Sequence, residues 1–158
     1  MIDRIKEFFN EQLRPDAGAG ARDPEHALRL AAAALLVEMS RADMHIRDGE
    51  RAAIETGVRD VFGLGEAETR SLVALAEEEV HDATSMYGFT RLINDGFSAG
   101  QKARIVELMW RVAYADGHLE KHEQHLMRKI AGLLYIPHET YIAAKFRARE
   151  EAGTRTED

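Results

Sequence analysis

Ser98-Ala-Gly-Gln-Lys-Ala-Arg-Ile-Val-Glu-Leu-Met-Trp-Arg-Val-Ala-Tyr-Ala-Asp-Gly-His-Leu-Glu-Lys-His-Glu123 is the stretch that decides the fold. Ser98 and Gln101 have the spacing of a capping box, which opens a helix. Ile105, Leu108, Met109, Val112 and Ala113 then recur at helical spacing. The period breaks at Asp116-Gly117 and resumes in a second helix carrying Leu126, Ile130, Leu133 and Leu134. A helix, a short acidic turn and another helix are therefore the local unit.

The same grammar extends in both directions. Ile2, Ile5, Phe8, Phe9 and Leu13 mark a short amphipathic helix that ends near Arg14-Pro15, and Asp16 to Gly20 reads as a flexible linker. Asp23-Pro24-Glu25 supplies an N-cap, a first-position proline and a first-turn acid for a helix reaching about Ala42. Its alanine-rich middle is apolar nearly all round, which predicts a central, buried helix. After a turn at Asp43 to Asp48, a helix runs to Phe62 and stops at Gly63. Another opens at Gly65-Glu66, presents Leu72, Leu75, Ala76 and Val80 on one face, and ends in Glu77-Glu78-Glu79. A short helix from about Ser85 to Asn94 breaks at Asp95-Gly96, and Pro137-His-Glu139 opens the last, with Tyr141, Ile142 and Phe146. No stretch alternates with period two over a useful length. The prediction is an all-α fold, a compact bundle of seven or eight helices. Residues 1–22 form the amphipathic helix and linker, 23–149 the helical domain and 150–158 a polar, frayed tail.

Composition narrows the chemistry. The 158 residues carry 28 acids against 21 bases, a net charge of -7 that argues against nucleic acid or an anionic membrane as partner. With no cysteine, disulfides, thiolate metal sites and cysteine nucleophiles are excluded. No signal-peptide-like stretch is present, and the longest apolar run, Leu30 to Val37, is far below the roughly 20 residues a membrane span needs. The expected location is the cytoplasm, with no membrane insertion.

The turn occurs twice. Arg41-Ala-Asp43-Met-His45-Ile46-Arg-Asp-Gly-Glu50 lies on Tyr114-Ala-Asp116-Gly-His118-Leu119-Glu-Lys-His-Glu123, every position stepping by 73 residues. Downstream, Val61-Phe62-Gly63-Leu64 matches Leu133-Leu134-Tyr135-Ile136 after a slip of one residue. The predicted architecture is thus a duplicated helix–turn–helix unit. In each copy an aliphatic residue, Ile46 or Leu119, plugs the turn into the core. The Asp follows one helix and the Glu opens the next, so both carboxylates can face one small volume.

These residues resemble the TerB family of bacterial tellurite-resistance and stress-response proteins, in particular its TerB-like branch. The resemblance rests on Ala115-Asp116-Gly117-His118-Leu119 with Glu123. It also rests on Tyr87-Gly-Phe89-Thr90-Arg91-Leu92-Ile93-Asn94, Trp110 to Gly117 and Tyr135-Ile-Pro137-His138, and it covers about residues 25 to 148. The family implies a compact helical domain with internal duplication and acidic residues proposed to hold divalent metal. It also implies a place beside other stress-response proteins, some of them membrane-associated, and no established catalysis. The first copy departs from the pattern, with Met44 in place of Gly and Arg47 where the second copy has Glu120. Both changes make it the poorer cation site.

Two readings of the turns stay open. In the first, Asp116 and Glu123 are metal ligands assisted by Glu120 or His118, with Asp43, Glu50 and His45 as counterparts. Oxygen ligands suit calcium or magnesium, and histidine shifts the preference toward zinc or manganese. In the second, each Asp bonds local backbone amides and each Glu complements a helix dipole. The turn is not an EF-hand: placing Gly117 at that loop's glycine puts Val112 at the first ligand position. His118, His122 and His125 cluster around Glu123 without making His-Glu-x-x-His, which leaves a zinc hydrolase little support.

Other features read more plainly. Ser40, Ser71, Ser85 and Ser98 lack a nucleophile elbow, and Gly63-Leu-Gly65 terminates a helix rather than cradling phosphate. Glu77 to Glu79 reads as solvated surface, and Phe89, Phe97, Trp110, Tyr114 and Phe146 as core or groove residues. The amphipathic segment at Ile2 to Leu13 packs on its own domain, swaps into a second copy or touches a membrane. The functional expectation is a non-enzymatic, divalent-cation-binding interaction module of a chemical-stress response. A metal-free interaction scaffold and a metal-dependent hydrolase are the alternatives, and a homo-oligomer is compatible with each.

Overall fold

The structure, a computed structural model, describes residues 24–42, 48–77, 82–115 and 121–156. Among them are seven helices and no strand: α1 Pro24–Ala42, α2 Asp48–Phe62, α3 Glu66–Ala76, α4 Ala83–Gly96, α5 Ala99–Ala115, α6 Lys121–Leu133 and α7 His138–Thr156. The all-α expectation holds. The amphipathic segment expected over residues 2–13 lies outside the described residues.

α1 is the hub. Every residue from Leu30 to Ser40 is buried, and α2, α3, α4 and α5 all pack against the helix. Alanines 31 to 34 allow close approach on several sides at once, while Leu30 and Leu35 are fully enclosed. Cutting either leucine to alanine should cost about 2–5 kcal/mol. The second large contact joins α5 to α7, where fully buried Ala144 and Ala148 let the two helices approach closely. α6 buries Met127, Ile130 and Ala131 and packs on α4, where Asn94 donates to the Leu133 carbonyl at 2.9 Å.

The predicted punctuation is present. Ser98 N–H donates to Gln101 Oε1 at 2.7 Å and Gln101 N–H to Ser98 Oγ at 3.2 Å, the reciprocal pair of a capping box. At α3, Gly65 N–H donates to Glu68 Oε1 at 2.8 Å, and His26 Nε2 from α1 stands 3.2 Å from the same oxygen. α2 stops at Gly63 with φ +57, and the α6 end turns through Tyr135 with φ +58. The two are equivalent in the repeat, and both put their neighbours to the same use. Phe62 and Leu134 are buried, and Leu64 and Ile136 pack on the core. Both corners thus turn through a left-handed residue set between a buried neighbour and one that packs on the core.

Three particulars differ from expectation. α4 is longer than Ser85–Asn94 because Asp82 and Gly96 bracket it; Met86 N–H already bonds the Asp82 carbonyl. α7 continues to Thr156 instead of fraying from Glu150. Arg111 on α5 holds Glu151 at 2.9 Å and so keeps that turn against the bundle. Phe146 is 55% exposed and is not a core residue. Phe89, Phe97 and Trp110 are buried as expected.

Candidate functional site

Asp43, His45, Asp116, His118 and Glu120 lie outside the described residues. Glu50 and Glu123 are placed by backbone alone, in the first turns of α2 and α6. The structure therefore speaks to the site through the helices that carry it. Among the described residues no group of three or more His, Asp or Glu side chains could hold a metal ion. His125 and Glu77 are exposed, as a solvated face requires.

The carrier helices have a definite relation. Near their starts, Arg104 Nε of α5 donates to Glu25 Oε1 of α1 at 2.8 Å. Near their ends, α2 supplies the ruler. It folds back along α1, with Arg41 and Glu55 paired at 3.0 Å. A Cβ on Gly57, two residues further, would stand 3.3 Å from Val112 of α5. Val112 is thus level with the last turns of α1. The two helices run in the same sense, and Ala42 and Ala115, which lead into the two acidic turns, stand at one end of the bundle. The third helices follow suit. His26 meets Glu68, and Val37 and Ala76 line one pocket further along, so α3 runs with α1. Glu107 meets Arg147 and Arg111 meets Glu151, so α7 runs with α5.

Electrostatics separate the two turns. A helix C-terminus carries partial negative charge, so an acid just beyond it is unfavourable unless a cation compensates. α1 has Arg41 in its last turn, but α5 has no basic residue in its own. Asp116 therefore follows the less compensated end. Glu50 and Glu123 sit in first turns, where the dipole favours them.

Towards the end of α5 is an aromatic cluster. Tyr114 stacks on Trp110 with centroids 5.6 Å apart, Tyr141 tilts against the indole at 6.0 Å, and Lys145 Nζ stands 5.0 Å over it. Trp110 is fully buried and its Nε1–H has no partner. Burial pushes the Tyr114 and Tyr141 hydroxyls above the usual tyrosine range, while Arg149 and Arg128 respectively pull the other way.

A second feature escaped the sequence reading: a chain of alternating charge across α1, α5 and α7. Glu107, only 4% exposed, accepts from Arg147 Nε at 2.6 Å and from Arg104, which also grips Glu25. Burial would lower the Arg104 pKa, but the hydrogen bond and charge of Glu25, with Glu107 and Glu151, raise it overall. The signal was a glutamate inside the apolar run Ile105 to Trp110. The chain ties together the three helices that set the direction of the bundle.

No helix among the described residues is long and apolar enough to cross a membrane. Searches among curated proteins and among solved structures returned no match. A family model does match: Tellurite resistance protein TerB, over residues 29–146.

Proposed function

The chain belongs to the TerB family, and we propose that it acts there as a non-enzymatic module that binds a divalent cation at its acidic turns and thereby presents a surface to other stress-response proteins. The observation that carries this reading is the shared sense of α1 and α5, which puts Ala42 and Ala115, the residues that precede the acidic turns in sequence, at one end of the bundle.

The donor chemistry fits a cation. Asp116, Glu120 and Glu123 are hard oxygen donors in the second copy, and Asp43 and Glu50 in the first. The carboxylates repel one another, and Asp116 also opposes the α5 dipole without a basic residue in that last turn. A bound cation relieves both costs. Calcium or magnesium suits an all-oxygen set; participation of His118 or His45 favours zinc or manganese. The second turn is the principal site, because Met44 and Arg47 weaken the first.

Catalysis has no support in this reading. A hydrolase needs an open metal position beside a base in a cleft. A non-enzymatic role also agrees with what the family implies. The test is thermal stability with calcium, magnesium, manganese and zinc. A cation at 100 times its Kd should stabilise the chain by about 2.7 kcal/mol. Asp116→Asn/Glu123→Gln should abolish the response and Asp43→Asn/Glu50→Gln should weaken it. An unchanged melting temperature with all four metals refutes the proposal.

A further inference from the structure

The contact between α5 and α7 has two unlike flanks. On one, Arg147 and Glu151 stand four residues apart on α7 and pair with Glu107 and Arg111 of α5. Each charge there meets its opposite. On the other, Tyr141, Lys145 and Arg149 follow at four-residue steps along α7, beside Trp110 and Tyr114 of α5. Arg128 of α6 belongs to this flank too, near enough for its charge to act on the Tyr141 hydroxyl. Lys145 is half-buried, whereas Arg149 and Arg128 are exposed.

The second flank holds donors and no acceptor for them. Fully buried Trp110 has an Nε1–H without a partner. Among the described residues no carboxylate pairs with Lys145, Arg149 or Arg128, and neither tyrosine hydroxyl makes a hydrogen bond. The indole face gives Lys145 a cation–π contact but accepts none of its hydrogen bonds. A chain with 28 acids against 21 bases has carboxylates to spare, yet no described one is set here.

We infer that this flank binds a phosphate group, held by Lys145, Arg149 and Arg128 with hydrogen bonds from Tyr114 and Tyr141. Three positive charges match a dianion better than a single carboxylate, and a group rich in acceptor oxygens suits a site made of donors. An oxygen of the ligand, or a water that it orders, would also give the buried indole N–H an acceptor. The phosphate comes either as the free ion or on an organic group, for which half-buried Tyr114 leaves ring surface beside the charges. The inference is independent of the metal reading, since it concerns groups of the opposite charge.

The chain has one tryptophan, so a single indole N–H signal in the NMR spectrum of the full, nitrogen-labelled chain reports on this flank. Inorganic phosphate, phenyl phosphate and benzoate are titrated at constant ionic strength in buffer free of divalent cations, so that no metal can bridge ligand and acidic turns. Both phosphates should shift the signal saturably, with a Kd of about 1 mM or tighter. Benzoate has the ring of phenyl phosphate but one charge, and should bind at least about fivefold more weakly. Lys145→Gln should weaken phenyl phosphate by about tenfold or more. Arg149→Gln and Arg128→Gln, at exposed positions, should keep the melting temperature and weaken it about three- to tenfold each. Lys129→Gln removes an exposed charge next to Arg128 in sequence and should leave the affinity unchanged.

Tighter binding of phenyl phosphate than of inorganic phosphate assigns the group to an organic monoester, and equal binding assigns it to the free ion. Both results support the site. No saturable shift in the wild type overturns it, and so does benzoate binding as tightly as phenyl phosphate. A loss in Lys129→Gln equal to that in Arg149→Gln overturns it as well, because attraction to any surface cation would then account for the response. If Lys145→Gln fails to fold, the comparison of Arg149→Gln with Lys129→Gln still decides.

Discussion

Replacing Glu107 by alanine removes the acceptor that joins Arg104 to Arg147, and its cost follows from where each partner is left. Breaking a buried ion pair costs about 3–5 kcal/mol when the surviving charge is stranded. Glu107 is enclosed, yet neither arginine would be stranded. Arg104 keeps Glu25 at 2.8 Å, and the Arg147 side chain is 52% exposed and can rehydrate. The loss should therefore fall to about 2–3 kcal/mol, chiefly two charge-assisted hydrogen bonds. For a domain of this size that lowers the melting temperature by about 4–12 °C. Urea unfolding gives the free energy, and the Glu107→Ala/Arg147→Ala cycle gives the coupling, expected at about 1–2 kcal/mol. High salt should shrink the part of the deficit that comes from half-exposed Arg147 and leave most of the part that comes from Arg104. A Glu107→Ala chain within about 0.5 kcal/mol of wild type would refute the buried network, and with it the tie that orients α1, α5 and α7.

Two further outcomes follow from the same geometry. Burial favours the neutral form of Tyr114 and Tyr141, so the folded chain holds those protons to higher pH than the unfolded one. Their contribution to stability is then full below about pH 10 and is lost as pH rises through the raised folded values. The absorbance difference at 295 nm between wild type and Tyr141→Phe should titrate above pH 10, and a midpoint at or below that value contradicts the assignment. At the two equivalent left-handed corners, Gly63→Ala should destabilise by about 1 kcal/mol. Tyr135→Gly should be neutral or stabilising by up to about 1 kcal/mol, since strain relief is offset by a more flexible unfolded chain and the lost Lys102 contact. A loss above about 1 kcal/mol in Tyr135→Gly means that the 79%-exposed ring has a stabilising contact beyond Lys102.

Much of the fold was legible because helices declare themselves locally. Ser98 and Gln101 announce a cap, Gly63 a stop, and the all-round apolar run of α1 a central helix. The likeness of Phe62-Gly63 to Leu134-Tyr135 was legible because a left-handed stop and a flanking core residue are both local requirements. Long-range pairing was not. Nothing near Glu151 in sequence says that Arg111 will hold it, so α7 was expected to end too soon. Glu107 has no signature in its own neighbourhood because its two partners come from a nearer turn and a distant helix. The pocket was invisible for a related reason: a cavity is a property of what three helices jointly leave out. The acidic residues themselves were found by pattern, and the structure adds the common direction of the helices that carry them.

Metal-resolved native mass spectrometry addresses the central claim most directly, comparing the wild type with Asp116→Asn/Glu123→Gln after equal exposure to calcium, magnesium, manganese and zinc. A divalent ion retained by the wild type and lost from the double variant, both still folded, is the predicted result. A wild-type chain that emerges free of every ion, or a variant that retains its ion unchanged, contradicts the claim.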